Sequence, residues 1–145
     1  MRRFVLDCSI TMAWCFEDEA DAYSDTVLEA LLTGEALVPP VWPLEVANVL
    51  AVGERKKRLT PAQSMRFTEL LQSLPIVVDA DSVQRPVTDI LSLARELVIS
   101  AYDASYLDLA VRSGLPIATR DGGARHSGGT VRGDSVRVRV KPVAH

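Results

Sequence analysis

Four acidic side chains lie at positions where their charge could take part in metal binding or catalysis. Asp7 directly follows the apolar run Phe4–Leu6, and Asp121 follows a second apolar run, while Glu45 and Asp103 lie near the starts of two predicted helices. If these carboxylates converge, each pair about 4 Å apart costs roughly 4 kcal/mol at an effective dielectric near 20. Either some of them stay protonated or a divalent cation neutralises them. Oxygen ligands favour Mg²⁺ or Mn²⁺, which can activate a water for attack on phosphorus.

Each acid also has a simpler structural explanation. Asp7 and Asp121 could start turns, Glu45 could stabilise a helix dipole, and Asp103 fits a capping box opened by Ser100. Taken one at a time, these explanations are adequate for Asp103 and Asp121. The argument for a site therefore depends on the four acids meeting.

The elements between the acids predict that they do meet. Short apolar runs that read as buried strands alternate with segments whose apolar residues recur at helical spacing. The predicted strands are Phe4–Leu6, Ala36–Val38, Pro75–Asp79 and Pro116–Thr119. Such alternation predicts an α/β fold with a parallel sheet covered by helices on both faces. Ligands of open parallel sheets bind at the carboxyl ends of the strands, so the acids are expected at one edge.

Composition narrows the class of protein. The chain has 145 residues, 48% hydrophobic and 24% charged, which is typical of one globular domain. No apolar run is long enough for a membrane span, and the run behind the N-terminus breaks at Asp7, too early for a signal peptide. We therefore expect a cytoplasmic protein without membrane association. Its two cysteines offer no disulfide framework, and a zinc site lacks partners because His126 and His145 are the only histidines.

The last part of the chain differs in composition from the rest. Five of the eight glycines lie between Gly122 and Gly133, and valines then alternate with basic residues from Val136 to Lys141. That two-residue period is compatible with a cationic edge strand. We predict a domain over residues 1–121 and an atypical tail, irregular or an edge strand, over residues 122–145.

Four segments together resemble a known family. FVLDCS, PLEVANVL, SAYDASYLDLA and IATRD are similar, in order and spacing, to the PIN-domain ribonucleases, especially the VapC-type toxins of bacterial toxin–antitoxin pairs. The resemblance covers about residues 3–121. It implies a PIN-like three-layer sandwich with a short parallel sheet of four to five strands. It also implies a Mg²⁺- or Mn²⁺-dependent endoribonuclease, usually homodimeric, whose cognate antitoxin covers the active site.

The resemblance also assigns roles to individual residues. The acids that it places in the catalytic, metal-binding cluster are Asp7, Glu45, Asp103 and Asp121. Ser9 and Thr119 become polar auxiliaries that orient a carboxylate or the attacking water, although a helix cap and a β-branched strand residue explain them as well. Direct metal contact is assigned first to Asp7 and Asp103. Glu45 could be a ligand or could hold the water.

Two other functions compete with this one. A haloacid-dehalogenase-type phosphatase also begins with an acid at the first strand end, but Ser9 stands where that chemistry needs a second acid. A PIN fold that has lost catalysis and binds a partner or RNA is the second alternative, because the tail departs from the family pattern. Metal-dependent RNA cleavage distinguishes them. Among the basic residues, Arg112 and Arg120 are expected nearer RNA phosphates than the helix-end cluster Arg55–Arg58.

Overall fold

The computed structural model describes residues 2–120, which contain one four-stranded sheet. Its strands, all short, are β1 (Arg2–Leu6), β2 (Gly34–Val38), β3 (Ile76–Val78) and β4 (Ile117–Ala118). They lie in the order β3-β2-β1-β4, and every neighbouring pair is parallel. The predicted α/β fold with a parallel sheet is confirmed. The boundary at residue 121 and the predicted tail lie outside the described residues and stay predictions.

Helices connect and cover the strands. They are α1 (Cys8–Ala13), α2 (Ala22–Ala30), α3 (Val41–Arg55), α4 (Pro61–Ser73), α5 (Val87–Leu97) and α6 (Ala101–Ser113), with short 3₁₀ turns at Glu17–Glu19 and Ala80–Gln84. No helix within residues 2–120 combines the length and the apolar character that crossing a membrane requires.

Local sequence signals account for several helix ends. Asp21 and Ser24 form a reciprocal capping box at the start of α2, and Thr60 and Gln63 form another at the start of α4. Gly114 ends α6 with φ of 65°, a left-handed conformation that glycine adopts without the penalty of a Cβ. These signals are readable in the sequence because each depends on residues only a few positions apart.

The centre of the core is β1. Phe4, Val5 and Leu6 have no exposed surface, so this strand is covered on both faces by helices. A continuous apolar run, without polar alternation, is what a strand buried on both faces requires. The charged residue that follows it, Asp7, is thereby held at the rim of the core.

Arg58, in the basic cluster after α3, has a structural role. Its guanidinium lies 4.1 Å from the ring centre of Phe16 and binds the carboxylates of Asp18 and Glu19. Lys57 before it adopts a left-handed conformation with φ of 61°, which turns the chain out of the helix. Arg58 therefore connects the end of α3 to the acidic 3₁₀ turn Glu17–Glu19.

Candidate functional site

Asp7 is buried at the carboxyl end of β1, where it also caps α1. Its side chain is 4% exposed, and three hydrogen bonds converge on Oδ2. The Ser9 N–H donates at 3.0 Å, the Ser9 hydroxyl at 2.5 Å and the Thr119 hydroxyl at 3.3 Å. The carboxylate is therefore held in one orientation by groups from both ends of the described chain.

Ser9 also links β1 to the last strand. Its Oγ accepts a hydrogen bond from the Arg120 N–H at 3.0 Å, and the Asp7 N–H donates to the Ala118 carbonyl at 3.0 Å. The ends of β1 and β4 are thus joined side by side. Both residues expected to assist a carboxylate, Ser9 and Thr119, contact Asp7, while Asp121 lies outside the described residues.

Glu45 is held by a residue that the sequence reasoning missed. The Tyr106 hydroxyl donates to Glu45 Oε1 at 2.6 Å. Burial first, and then the hydrogen bond to Glu45 and the negative charges of Asp7 and Glu45, raise the pKa of Tyr106 far above its ordinary value. The phenol is therefore a donor at physiological pH. The available signal was its spacing, since Tyr106 lies three residues after Asp103 on one helix face and a buried tyrosine needs a hydrogen-bond partner.

Asp103 lies half-buried in the first turn of α6. Its N–H donates to the Ser100 hydroxyl at 3.1 Å, which confirms the predicted cap. Because α6 packs against β1 and leads through a short loop into β4, its N-terminus lies at the carboxyl edge of the sheet. Asp103 and Asp7 are therefore brought to the same edge.

Two of the candidate acids, Asp7 and Glu45, act electrostatically on the buried thiol of Cys8. Burial raises the pKa of the Cys8 thiol well above its ordinary value, and the carboxylates of Glu45, Asp7 and Glu19 raise it further. A thiol in this environment stays protonated and packs in the core, so it is not a nucleophile.

The buried thiol predicts weaker folding at alkaline pH. Above about pH 8.5 the unfolded chain loses the Cys8 proton and the folded chain keeps it, so the unfolded state binds fewer protons. The free energy of unfolding should then fall by roughly 1.4 kcal/mol per pH unit for this thiol. Urea titrations between pH 7.5 and 10 measure that slope. Cys8→Ala should reduce the slope, and an unchanged slope would contradict this assignment.

The described residues at this edge offer oxygen ligands of the kind that a hard cation binds, but too few of them to form a metal site. Carboxylate and hydroxyl oxygens surround Asp7, and such oxygens are what Mg²⁺ and Mn²⁺ bind. Within residues 2–120, however, no three His, Cys, Asp or Glu side chains form a group that could hold a metal ion. The described acids alone do not complete the predicted cluster, whose fourth member is Asp121.

The two arginines expected near RNA are engaged within the fold. Arg112 donates to Asp108 Oδ2 at 2.8 Å and to the Ser82 hydroxyl at 2.8 Å, so neighbouring side chains hold its guanidinium. The Arg120 Nε lies 3.4 Å from Asp21 Oδ2, and its Nη1 donates to the Glu19 carbonyl. Arg120 thus ties the acidic stretch before α2 to the end of β4.

Comparisons with known proteins agree with this architecture. The PIN domain family model matches residues 4–128. The crystal structure of PAE2754 from Pyrobaculum aerophilum is similar with a TM-score of 0.65 and 23% sequence identity, over 97% of this chain and 90% of that chain. A search of curated proteins finds no match. At this identity the structural likeness shows the fold, and the family model shows the family.

The family match also decides between the enzyme classes considered from the sequence. It spans the segments that carry Asp7, Glu45 and Asp103, and it leaves no support for the haloacid-dehalogenase alternative. PIN domains are generally nucleases that act on RNA, and they typically bind divalent metal ions. The chain belongs to the PIN domain family.

Proposed function

We propose that this protein is a metal-dependent endoribonuclease that hydrolyses RNA phosphodiester bonds at the carboxyl edge of its sheet. The observation that carries the proposal is Asp7, a 4% exposed carboxylate fixed by the hydroxyls of Ser9 and Thr119. Removing a carboxylate from water has a desolvation cost, and a functional site is a common reason for a protein to keep one in a buried position. The family, whose members are generally nucleases, supplies the reaction type.

The proposed roles are those that the family resemblance implies. The residues that would hold Mg²⁺ or Mn²⁺ are Asp7, Glu45, Asp103 and Asp121. When bound, the ion would supply a Lewis acid that lowers the pKa of a water and offsets charge on the phosphate. Ser9 and Thr119 hold Asp7 in its orientation, and Glu45 serves as a further ligand or holds the attacking water.

The test is RNA cleavage by the purified protein. Cleavage of a mixed RNA substrate should appear with Mn²⁺ or Mg²⁺ and disappear when EDTA removes the ion. The competing proposal, a PIN fold that only binds, is supported by the composition of residues 122–145, which departs from the family pattern. Retained RNA binding without cleavage in either metal would support that alternative and contradict ours.

The biological role that we propose is the toxin of a toxin–antitoxin pair. It is supported by the similarity of four ordered segments to VapC-type toxins and by a family that acts on RNA. The free cysteines Cys8 and Cys15 suit the reducing cytoplasm, where the substrate RNA is found. Expression should slow growth, and co-expression of the neighbouring upstream gene, which would encode the antitoxin, should relieve it. Growth unaffected by expression of an active nuclease would contradict the toxin role.

We also propose that the protein forms a homodimer through α5. Val87 and Leu91 lie one turn apart on α5, and Val98 directly follows its last residue. They are 80%, 43% and 87% exposed, which leaves an apolar stripe in water. Burying such a stripe against a second copy removes that surface from water.

Charges in the stripe should separate the two copies. Val87→Glu with Leu91→Glu is expected to halve the molar mass measured by light scattering, because buried unpaired carboxylates are costly. Leu32→Glu is the matched control, since Leu32 is 84% exposed in another part of the fold. A monomeric wild type, or a dimer that survives the double substitution, would refute this interface.

A further inference from the structure

Tyr106 reaches across the core to an acid 61 positions earlier in the chain. Its side chain is 1% exposed, and its hydroxyl lies 2.6 Å from Glu45 Oε1. The contact joins α6, which carries Asp103, to α3, which carries Glu45. Helix α6 therefore supplies one candidate ligand, Asp103, and restrains a second one, Glu45.

The two partners differ in how freely they can move. Tyr106 belongs to a stretch of α6 from Tyr106 to Ala110 that is buried throughout, so its ring is fixed by the packing of the core. Glu45 is only half-buried, and an unrestrained glutamate loses considerable rotamer freedom when it is ordered. A short hydrogen bond from a fixed phenol orders the carboxylate before any ligand arrives.

Charge makes this restraint useful at the site. Besides burial, the negative charges of Asp7 and Glu45 both raise the pKa of Cys8 and of Tyr106, so both carboxylates act on the same part of the core. Binding a cation there requires that the carboxylates be ordered against their mutual repulsion. Tyr106 stays protonated and its ring is fixed by packing, so its hydroxyl can hold the Glu45 carboxylate in place.

We propose that Tyr106 is a positioning residue, which holds Glu45 in the orientation that a divalent cation requires. The inference rests on the proposed function, because it concerns the same site. It assigns to Tyr106 no contact with RNA or with the reacting atoms. Removing only the hydroxyl should therefore weaken metal binding and lower the maximal cleavage rate, and leave the KM for RNA unchanged.

The experiment compares Tyr106→Phe with Tyr102→Phe. Tyr102 lies on the same helix and is 61% exposed, so its substitution makes the same chemical change away from the core. Mn²⁺ affinity, measured by electron paramagnetic resonance at a temperature where each variant is folded by circular dichroism, should fall about 10–100-fold for Tyr106→Phe only. The Tyr102→Phe affinity should equal that of the wild type.

A double-mutant cycle separates positioning from general structural support. If Tyr106 acts through Glu45, adding Tyr106→Phe to Glu45→Gln should weaken Mn²⁺ binding no further. Losses that multiply in the double variant would overturn the inference, as would wild-type affinity in Tyr106→Phe. Those outcomes leave the nuclease proposal standing. A wild type that neither binds Mn²⁺ nor cleaves RNA would refute the nuclease proposal and this inference together.

Discussion

Asp7→Asn should reduce metal-stimulated RNA cleavage by at least about 100-fold while leaving the fold intact. Asparagine keeps the size of the side chain and an oxygen that can accept from Ser9 and Thr119, and it is an equally good helix cap. The negative charge alone is lost. Because the cation is held by that charge, affinity and rate should fall together.

The control for Asp7→Asn makes the same change where no site is proposed. Asp25 is exposed in the first turn of α2, so Asp25→Asn should cleave RNA at the wild-type rate. A second measurement is thermal unfolding with and without Mn²⁺, since a ligand that binds only the folded state raises its stability. Mn²⁺ should stabilise the wild type and Asp25→Asn, and not Asp7→Asn. RNA cleavage at the wild-type rate by Asp7→Asn would contradict the assignment of the site.

Asp108→Ala should cost about 3 kcal/mol of folding stability, the largest effect that we expect outside the site. The carboxylate of Asp108 is 11% exposed and accepts from Arg85 at 2.9 Å and 3.1 Å and from Arg112 at 2.8 Å. Through Arg85 it joins α6 to the segment that follows the 3₁₀ turn Ala80–Gln84. Removing it deprives Arg85 and Arg112 of their shared carboxylate acceptor, although both guanidinium groups have lost part of their hydration on folding.

The comparison for Asp108→Ala is a carboxylate at the margin of the same network. Asp89 also binds Arg85, at 3.1 Å, but it is 50% exposed, so Asp89→Ala should cost at most about 1 kcal/mol. Urea unfolding of both variants measures the difference. Equal losses would mean that burial of Asp108 contributes nothing to the strength of the network.

Much of the site was predictable because it depends on short-range signals. An apolar run that ends at an acid places Asp7 at a strand end, and the cap formed by Ser100 places Asp103 in a first helical turn. Parallel pairing then brings the strand ends to one edge. The contacts of Ser9 and Thr119 with Asp7 follow from that pairing, since β1 and β4 are neighbours in the sheet.

Other features required the packed structure. The expectation for Arg112 considered only its charge, and the structure turns its guanidinium toward Asp108 because a nearly buried carboxylate competes for it more strongly than solvent does. In the same way, helical spacing predicts α5, but only the packing shows that Val87 and Val98 remain exposed.

By itself, the sequence determined the order of the elements, the parallel sheet and the candidate acids, because caps, strand ends and periodicity depend on neighbouring residues. Only the tertiary structure decided which side chains restrain those acids. Tyr106 meets Glu45 across 61 positions, and Thr119 meets Asp7 across 112. Such contacts have no local signature, since they form only where α3, α6 and the two central strands have packed around a common core.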